Sequence, residues 1–166
     1  MSESLDKLPQ LAADKKSQNQ RFFTKLKARP PRELDTLMQE LHHEEFRKTD
    51  CLECANCCKT TGPLFTGADI DRIAAHLKMR PGQFVERYLR VDEDGDTVLQ
   101  QLPCSFLDAE NYCLIYEVRP KACREYPHTD RKKFHQITGL TLQNTAICPA
   151  AFRIVEELKR RLPGYL

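Results

Sequence analysis

Eight cysteines are the residues of this 166-residue sequence whose type and spacing suit metal chemistry. Four of them form one compact group, Cys51-x2-Cys54-x2-Cys57-Cys58. A Cys-x2-Cys turn brings two Cβ vectors to one side, so two overlapping steps deliver three thiolates to one centre. Zinc and iron–sulfur clusters both accept this arrangement, so the metal stays open between them. We expect Cys51, Cys54 and Cys57 to converge and at least one remote cysteine to join them.

The other four cysteines are spread over the second half of the chain. Cys104, Cys113 and Cys123 have eight and nine residues between them, and Cys148 precedes a proline. A remote Cys-Pro often completes a Cys-x2-Cys-x2-Cys cluster, whereas Cys58 is available as a fourth thiolate for Cys104, Cys113 and Cys123. The spacing is therefore compatible with two four-sulfur sites, or with a single four-ligand centre and four spare thiols.

Disulfides are the alternative use of an even number of cysteines. The N-terminus has no basic segment followed by an apolar one, so it does not resemble a signal peptide. We therefore expect the cytoplasm, where thiols stay reduced or bind metal. The adjacent pair Cys57-Cys58 also disfavours disulfides, because neighbouring cysteines bridge each other only with strain.

The histidines are less promising ligands than the cysteines. Each is more simply explained as a solvated or helix-end residue, since eight sulfurs are already available. These residues are His42, His43, His76, His128 and His135.

Composition excludes several classes of protein. Lys and Arg number 26 and Asp and Glu 24, a net charge of +2 that disfavours a nucleic-acid-binding surface. Mean hydropathy is −0.59, and no apolar stretch approaches the length of a membrane span. We find no glycine-rich phosphate loop and no Ser/His/Asp order, so no catalytic constellation is recognised.

The first cysteine group and the segments around the later cysteines form one long motif. Its residues are Cys51, Cys54, Cys57, Cys58, Pro103-Cys104-Ser105-Phe106-Leu107, and the segment from Cys113 to Pro127 that contains Arg119-Pro120 and Cys123-Arg124. Over roughly residues 50–150, this motif resembles the YkgJ-like cysteine cluster family. The resemblance implies a zinc- or iron-chelating domain, and a related region occurs in flagellin lysine methylases. No methyl-donor fingerprint is present here, so the methylase activity is not transferred.

Two arginines of this motif are candidates for the surroundings of the metal. A four-thiolate zinc site carries net negative charge, so cations and backbone donors are expected next to the ligands. Arg119 and Arg124 would offset that charge, unless they are ordinary surface ion-pair residues. Phe106, Ile115 and Tyr116 are expected to pack around the site.

The elements that position these residues are predicted to be mainly helical. Residues 1–29 are polar and indicate a loosely packed N-terminal arm with a short helix around 14–28, followed by a cysteine domain over 30–166. Apolar periodicity predicts a helix over 32–47, a second from a capping box at Thr66 and Asp69 to about Lys78, a short one from Pro81, and a C-terminal one from Pro149. Asp92 to Asp96 indicates a hairpin turn before a strand over 97–102, and residues 131–147 give weak strand signals.

The predicted fold class is α+β, mostly α: a small single domain with short strands, whose cysteine-bearing loops gather at one metal-binding pole. The function that follows is a small cytoplasmic protein that holds zinc or an iron–sulfur cluster through thiolates, with an unknown protein partner. One alternative is a zinc-stabilised module that binds protein or nucleic acid through its basic stretches at 131–133 and 159–161. The other alternative is a cluster-dependent redox enzyme.

Overall fold

The structure, a computed structural model, describes residues 5–166 and is mostly helical. About 60% of the chain is helix, and the sheet has two strands, so the predicted mostly α fold class with short strands is confirmed. Within residues 5–166, no helix is both long enough and apolar enough to span a membrane. The elements are α1 Leu8–Ala28, α2 Leu34–Phe46, α3 Cys51–Cys54, α4 Asn56–Thr60, α5 Gly67–His76, α6 Pro81–Tyr88, β1 Leu89–Val91, β2 Thr97–Leu99, α7 Lys121–Glu125, α8 Thr138–Asn144 and α9 Pro149–Arg161.

The chain divides into two compact units. Unit 1 combines the N-terminal residues up to Asp50 with Pro127–Leu166, and unit 2 is the continuous segment Cys51–Tyr126. Each unit has a hydrophobic core of its own. Seven of the eight cysteines belong to unit 2, and Cys148 belongs to unit 1.

The core of unit 1 lies among its three longest helices. α9 packs on both α1 and α2, and its apolar stripe begins after Pro149, which has the fixed φ that suits the first turn of a helix. The predicted C-terminal helix is thereby confirmed. The residues of this core that are completely shielded from solvent are Phe22, Leu26, Met38, Phe134, Val155 and Leu158.

The predicted loose packing of the N-terminal segment is wrong. α1 extends from Leu8, well before the short helix expected around 14–28, and it buries Phe22, Phe23 and Leu26 in the unit 1 core. The apolar residues of this segment are few, but the helix collects them on one face. The proposed boundary between an arm over 1–29 and a domain over 30–166 stays a prediction.

Residues 131–147 form helical structure and no strand, contrary to the weak strand signals. A short 3-10 turn over Phe134–Gln136 leads into α8. Two threonines of this segment direct their hydroxyls to helix carbonyls: Thr141 Oγ1 donates to the Ile137 oxygen at 3.1 Å, and Thr145 Oγ1 to the Leu142 oxygen at 2.6 Å. Packing against α1 then outweighs the β preference of these side chains.

Unit 2 is built on α5, α6 and an antiparallel hairpin. β1 pairs with β2 in the register Leu89 to Leu99, and both of these leucines are buried. Phe84 stacks on Phe106 with ring centroids 6.1 Å apart, which links α6 to the cysteine-bearing region. Ile115 is buried in the same core. The core of unit 2 therefore anchors the segment between Cys104 and Cys113 from both ends.

The hairpin differs from its prediction in extent. The predicted turn is confirmed: Asp92 N–H donates to the Asp96 carbonyl at 2.9 Å, and Gly95 takes a φ of +84° that glycine adopts without strain. β2 ends at Leu99 rather than 102, and β1 was not predicted. β1 begins directly after α6, so the helical pattern before it obscured a strand of three residues.

The predicted capping box at the start of α5 is confirmed, and its acidic member is almost completely buried. Thr66 Oγ1 accepts from the Asp69 N–H at 3.1 Å, while Asp69 Oδ2 accepts from the Thr66 N–H at 3.0 Å. Burial raises the pKa of Asp69, but hydrogen bonds donated by Thr66, Arg72 and the Lys121 N–H outweigh burial and bring that pKa down to about 2.

Truncating Phe22 tests whether α1 is part of the unit 1 core. We expect Phe22→Ala to lower the free energy of unfolding by about 3–5 kcal/mol, because it leaves a cavity in a fully buried position. Urea denaturation measures this loss. Lys16→Ala, at an exposed position of the same helix, should change stability by less than about 0.5 kcal/mol. Equal stability of the two variants would show that α1 is not integral to the core.

The low pKa of Asp69 predicts a specific loss of stability in acid. A carboxyl whose pKa is lowered on folding stabilises the fold above its unfolded pKa, and this contribution disappears as pH falls through the folded value. For a pKa of 3.8 unfolded and about 2 folded, the contribution is about 2 kcal/mol. Urea unfolding of metal-free protein at pH 5 and pH 2 should therefore show the stability advantage over Asp69→Asn shrinking by that amount. A constant advantage would contradict the assigned pKa.

Candidate metal centre

The first four cysteines lie on a corner between two very short helices. α3 carries Cys51 and Cys54, and α4 carries Cys57 and Cys58. The corner is Ala55, which is buried and adopts a left-handed conformation with a φ of 47°. Its N–H donates to the Cys51 carbonyl at 2.8 Å, so the first turn closes before the chain changes direction.

The next two cysteines, Cys104 and Cys113, are the first and last residues of a narrow loop in unit 2. The Cys104 N–H donates to the Cys58 carbonyl at 2.8 Å, which ties this loop to α4. An isolated antiparallel bridge joins Leu107 to Cys113, and the Leu114 N–H donates to the Phe106 carbonyl at 2.8 Å. This pairing closes the loop at its base, where Cys104 and Cys113 lie.

Backbone donors are directed at two of the sulfurs. Burial raises the pKa of Cys104 and of Cys113, and backbone N–H groups partly offset that rise: those of Phe106 and Leu107 for Cys104, and that of Ile115 for Cys113. They do so because an N–H group stabilises the thiolate more than the neutral thiol. Each donor follows its cysteine by two or three residues, so the turn itself supplies a partner for a thiolate ligand.

Four sulfurs of unit 2 share one electrostatic environment. Burial is the main cause that raises the pKa of Cys123, to about 12, and negative charge at Cys58, Cys104 and Cys113 adds to it. Burial likewise raises the pKa of Cys104 to about 11, with contributions from Cys58 and Cys113. Burial and the charge at Cys58 also raise the pKa of Cys113. The charges of Cys58, Cys104 and Cys113 thus act on Cys123, which lies in α7.

Cys58 is the exception among these thiols. A hydrogen bond from the Cys57 side chain lowers its pKa to about 7, against the effect of burial and with help from the charge of Lys59. Cys58 therefore forms a thiolate near neutral pH more readily than its three neighbours. It is also the cysteine whose charge affects all three of them.

The cysteine side chains do not form a closed coordination sphere within residues 5–166. Across residues 5–166, no three His, Cys, Asp or Glu side chains stand close enough together to hold an ion as they are. All eight cysteines are thiols rather than disulfides. The expected convergence of Cys51, Cys54 and Cys57 stays a prediction, as does the identity of the metal ligands.

Cys148 has a different local role. It lies in unit 1, immediately before α9, and its Sγ accepts a hydrogen bond from the Ala151 N–H at 3.4 Å. The sulfur thus caps the N-terminus of α9, where serine or threonine is the usual residue. Its predicted participation in a metal site stays a prediction.

The two candidate arginines differ in their relation to the sulfurs. The positive charge of Arg119 lowers the pKa of Cys113 and of Cys123. Its guanidinium lies over the Tyr116 ring, 3.8 Å from the centroid, and donates to the Tyr116 carbonyl at 2.7 Å. Arg124 does not contribute to any of the cysteine pKa shifts described above, so its role near the metal stays a prediction. Tyr116 is 46% exposed, so the expectation that it packs in the core is wrong.

One histidine is more firmly held than the sequence indicates. His42 Nδ1 lies 2.8 Å from Thr129 Oγ1, and its Nε2 lies 3.8 Å from Asp130 Oδ2. These contacts connect α2 to the loop before α8 within unit 1. Burial lowers the pKa of His42, so the neutral ring that anchors this loop is favoured.

Comparison with known proteins places the cysteine-rich region among relatives. Residues 50–144 match the CxxCxxCC family, described as "Putative zinc- or iron-chelating domain". The chain is also 32% identical, over 91 residues, to an uncharacterized protein of Methanocaldococcus jannaschii. That alignment covers 53% of this chain and 49% of the relative, so the chain spans about half the length of the curated relative it matches. No solved structure matches the chain. Because the family match covers more than half of the sequence and includes seven of its eight cysteines, the chain belongs to the CxxCxxCC family.

Proposed function

We propose that this protein binds zinc or an iron–sulfur cluster through the thiolates of Cys58, Cys104, Cys113 and Cys123. The supporting observation is their shared environment, in which burial and mutual repulsion raise the pKa of three thiols above the ordinary value. Four thiolates are costly there without a cation, and a bound metal supplies the missing positive charge. Zinc would provide a structural cross-link, and a cluster would add electron transfer.

The donor set fits both groups. Thiolates are the ligands that zinc and iron–sulfur centres share, and all four come from elements of unit 2. The N–H groups directed at Cys104 and Cys113, together with Arg119, would offset the negative charge of a four-thiolate centre. Because no three possible ligands within residues 5–166 stand close enough to hold an ion, binding would draw the four sulfurs closer together.

Cys51, Cys54 and Cys57 are proposed as a second thiolate set. Cys51 is exposed and Cys54 and Cys57 are half-buried, so reagents and metal reach them from solvent. The Cys57 side chain hydrogen-bonds to Cys58, which connects the two sets at adjacent residues. We propose the reducing cytoplasm as the compartment, because both sets require reduced thiols.

The identity of the metal decides between the competing functions. Iron with acid-labile sulfide in anaerobically purified protein would support a redox role, whereas zinc alone would support a structural centre in an interaction module. An interaction role has one observation in its favour: Tyr112 and Leu114, on either side of Cys113, are 58% and 62% exposed. Elemental analysis for iron, zinc and sulfide distinguishes these outcomes.

Replacing Cys123 tests the proposed ligand set. We expect Cys123→Ser to lose the metal bound at this centre and the stability linked to it, about 3 kcal/mol at a hundredfold excess of free metal over Kd. Metal analysis and thermal unfolding measure the two effects. Cys148→Ser is the matched control and should retain this centre. Full retention of metal by the Cys123 variant would contradict the assignment.

Replacing Arg119 tests its electrostatic role. Arg119→Gln removes the charge that lowers the pKa of Cys113 and Cys123, so both thiols should ionise at higher pH. Metal must then displace more tightly held protons, and the zinc affinity should fall most at the acidic end of its pH profile. Competition titrations over a pH series measure this shift. Arg90→Gln, on an exposed position of β1, is the control; identical pH profiles for the two variants would disprove the role.

A further inference from the structure

Asp69 forms hydrogen bonds beyond its capping box. Its carboxylate is 1% exposed. Oδ1 accepts from Arg72 Nη2 at 2.7 Å and from the Lys121 N–H at 3.1 Å, while Oδ2 accepts from the Thr66 N–H. Lys121 is the first residue of α7, and Pro120 before it has no side chain able to cap a helix. Asp69 therefore caps its own helix and also the helix that carries Cys123.

Arg72 also binds the backbone just before α7. Its Nε donates to the Val118 carbonyl at 3.3 Å, and its Nη2 donates to the Arg119 carbonyl at 3.0 Å. Arg119 and Pro120 both have extended backbones, so this stretch lacks the regular hydrogen bonds of a helix. Asp69 and Arg72 thus provide the polar partners that fix the backbone from Val118 to Lys121.

The held segment carries two residues of the proposed centre. Arg119 lies in it, and its guanidinium acts on Cys113 and Cys123. Cys123 follows two residues after Lys121, in the same short helix. A helix of five residues has little stability of its own, so its placement depends on contacts such as these.

We propose that Asp69 and Arg72 are positioning residues of the metal centre, which hold Cys123 and Arg119 in the arrangement that metal binding requires. This inference rests on the proposed function, because it assigns to the pair a part of the metal affinity. Neither side chain needs to touch the metal. Their effect is to place one ligand and one compensating charge before the metal arrives, so that less ordering is required on binding.

The test compares two variants of α5 in the full-length chain. Asp69→Ala removes the acceptor for Arg72 and Lys121, whereas Thr66→Ala removes a cap of the same helix and leaves that acceptor in place. We expect Asp69→Ala to weaken zinc binding roughly tenfold or more, and Thr66→Ala to stay within about twofold of the wild type. Competition with a chromophoric chelator measures the zinc affinity, and circular dichroism at the same temperature confirms that each variant is folded.

A second variant and a second measurement keep the test decisive if Asp69→Ala fails to fold. Arg72→Gln leaves the Asp69 contacts to Thr66 and Lys121 but removes the bonds to the Val118 and Arg119 carbonyls, and it should also weaken zinc binding. In metal-free Asp69→Ala and Arg72→Gln, the rate of alkylation of Cys123 divided by that of Cys148 should be higher than in the wild type. Mass spectrometry measures both rates. A variant that only loses stability should show the same ratio of the two alkylation rates as Thr66→Ala does.

The outcomes separate the inference from the proposed function. If the wild type binds zinc and both positioning variants bind it as tightly as Thr66→Ala does, the inference is overturned and the proposed function stands. If the wild type binds neither zinc nor iron, the proposed function fails and the inference fails with it. Weakened binding in both variants, with the matched control unaffected, supports both.

Discussion

A carboxylate that accepts hydrogen bonds from the backbone of a distant segment is the interaction on which the loops of each unit depend. In unit 1, Asp35 accepts from the N–H groups of Lys133 and Phe134, at 2.7 and 3.0 Å. In unit 2, Asp69 accepts from the Lys121 N–H at 3.1 Å. Both acids lie in the first turn of a helix. Hydrogen bonds to a charged acceptor are stronger than neutral ones, so a single side chain holds the start of a short helical segment that has little stability of its own.

The loop between Cys104 and Cys113 is positioned by apolar contacts as well as polar ones. Phe106 and Ile115 are buried in the core, and the loop is thereby held at both ends. Hydrophobic burial, which does not require metal, therefore stabilises the position of this loop. The same burial opposes thiolate formation, as the raised pKa of Cys123 shows. The fold therefore buries the thiols, and the charge of their thiolate forms would have to be balanced by what binds.

Local sequence patterns predict most of the helices, but they do not predict contacts between residues that lie far apart in the sequence. The capping box at Thr66 follows from the spacing of two residues, and the helix after Pro149 follows from apolar periodicity. The partner of Asp69 in α7 has no such signal, because it is a backbone N–H 52 positions away. The burial of α1 was missed since its apolar residues are sparse and only the folded helix aligns them. For the cysteines, spacing suggested that Cys58 joins the later three but did not choose between that division and others.

The discontinuity of unit 1 has a consequence for biosynthesis. Unit 2 is one uninterrupted stretch, whereas the core of unit 1 needs α9 from the C-terminal end to cover α1 and α2. A ribosome synthesises residues 51–126 before it makes α9. All of unit 2 has therefore been synthesised while the apolar faces of α1 and α2 still lack the helix that covers them. During this interval, chaperones and proteases have access to the apolar faces of α1 and α2. The synthesis and packing of α9 end that exposure.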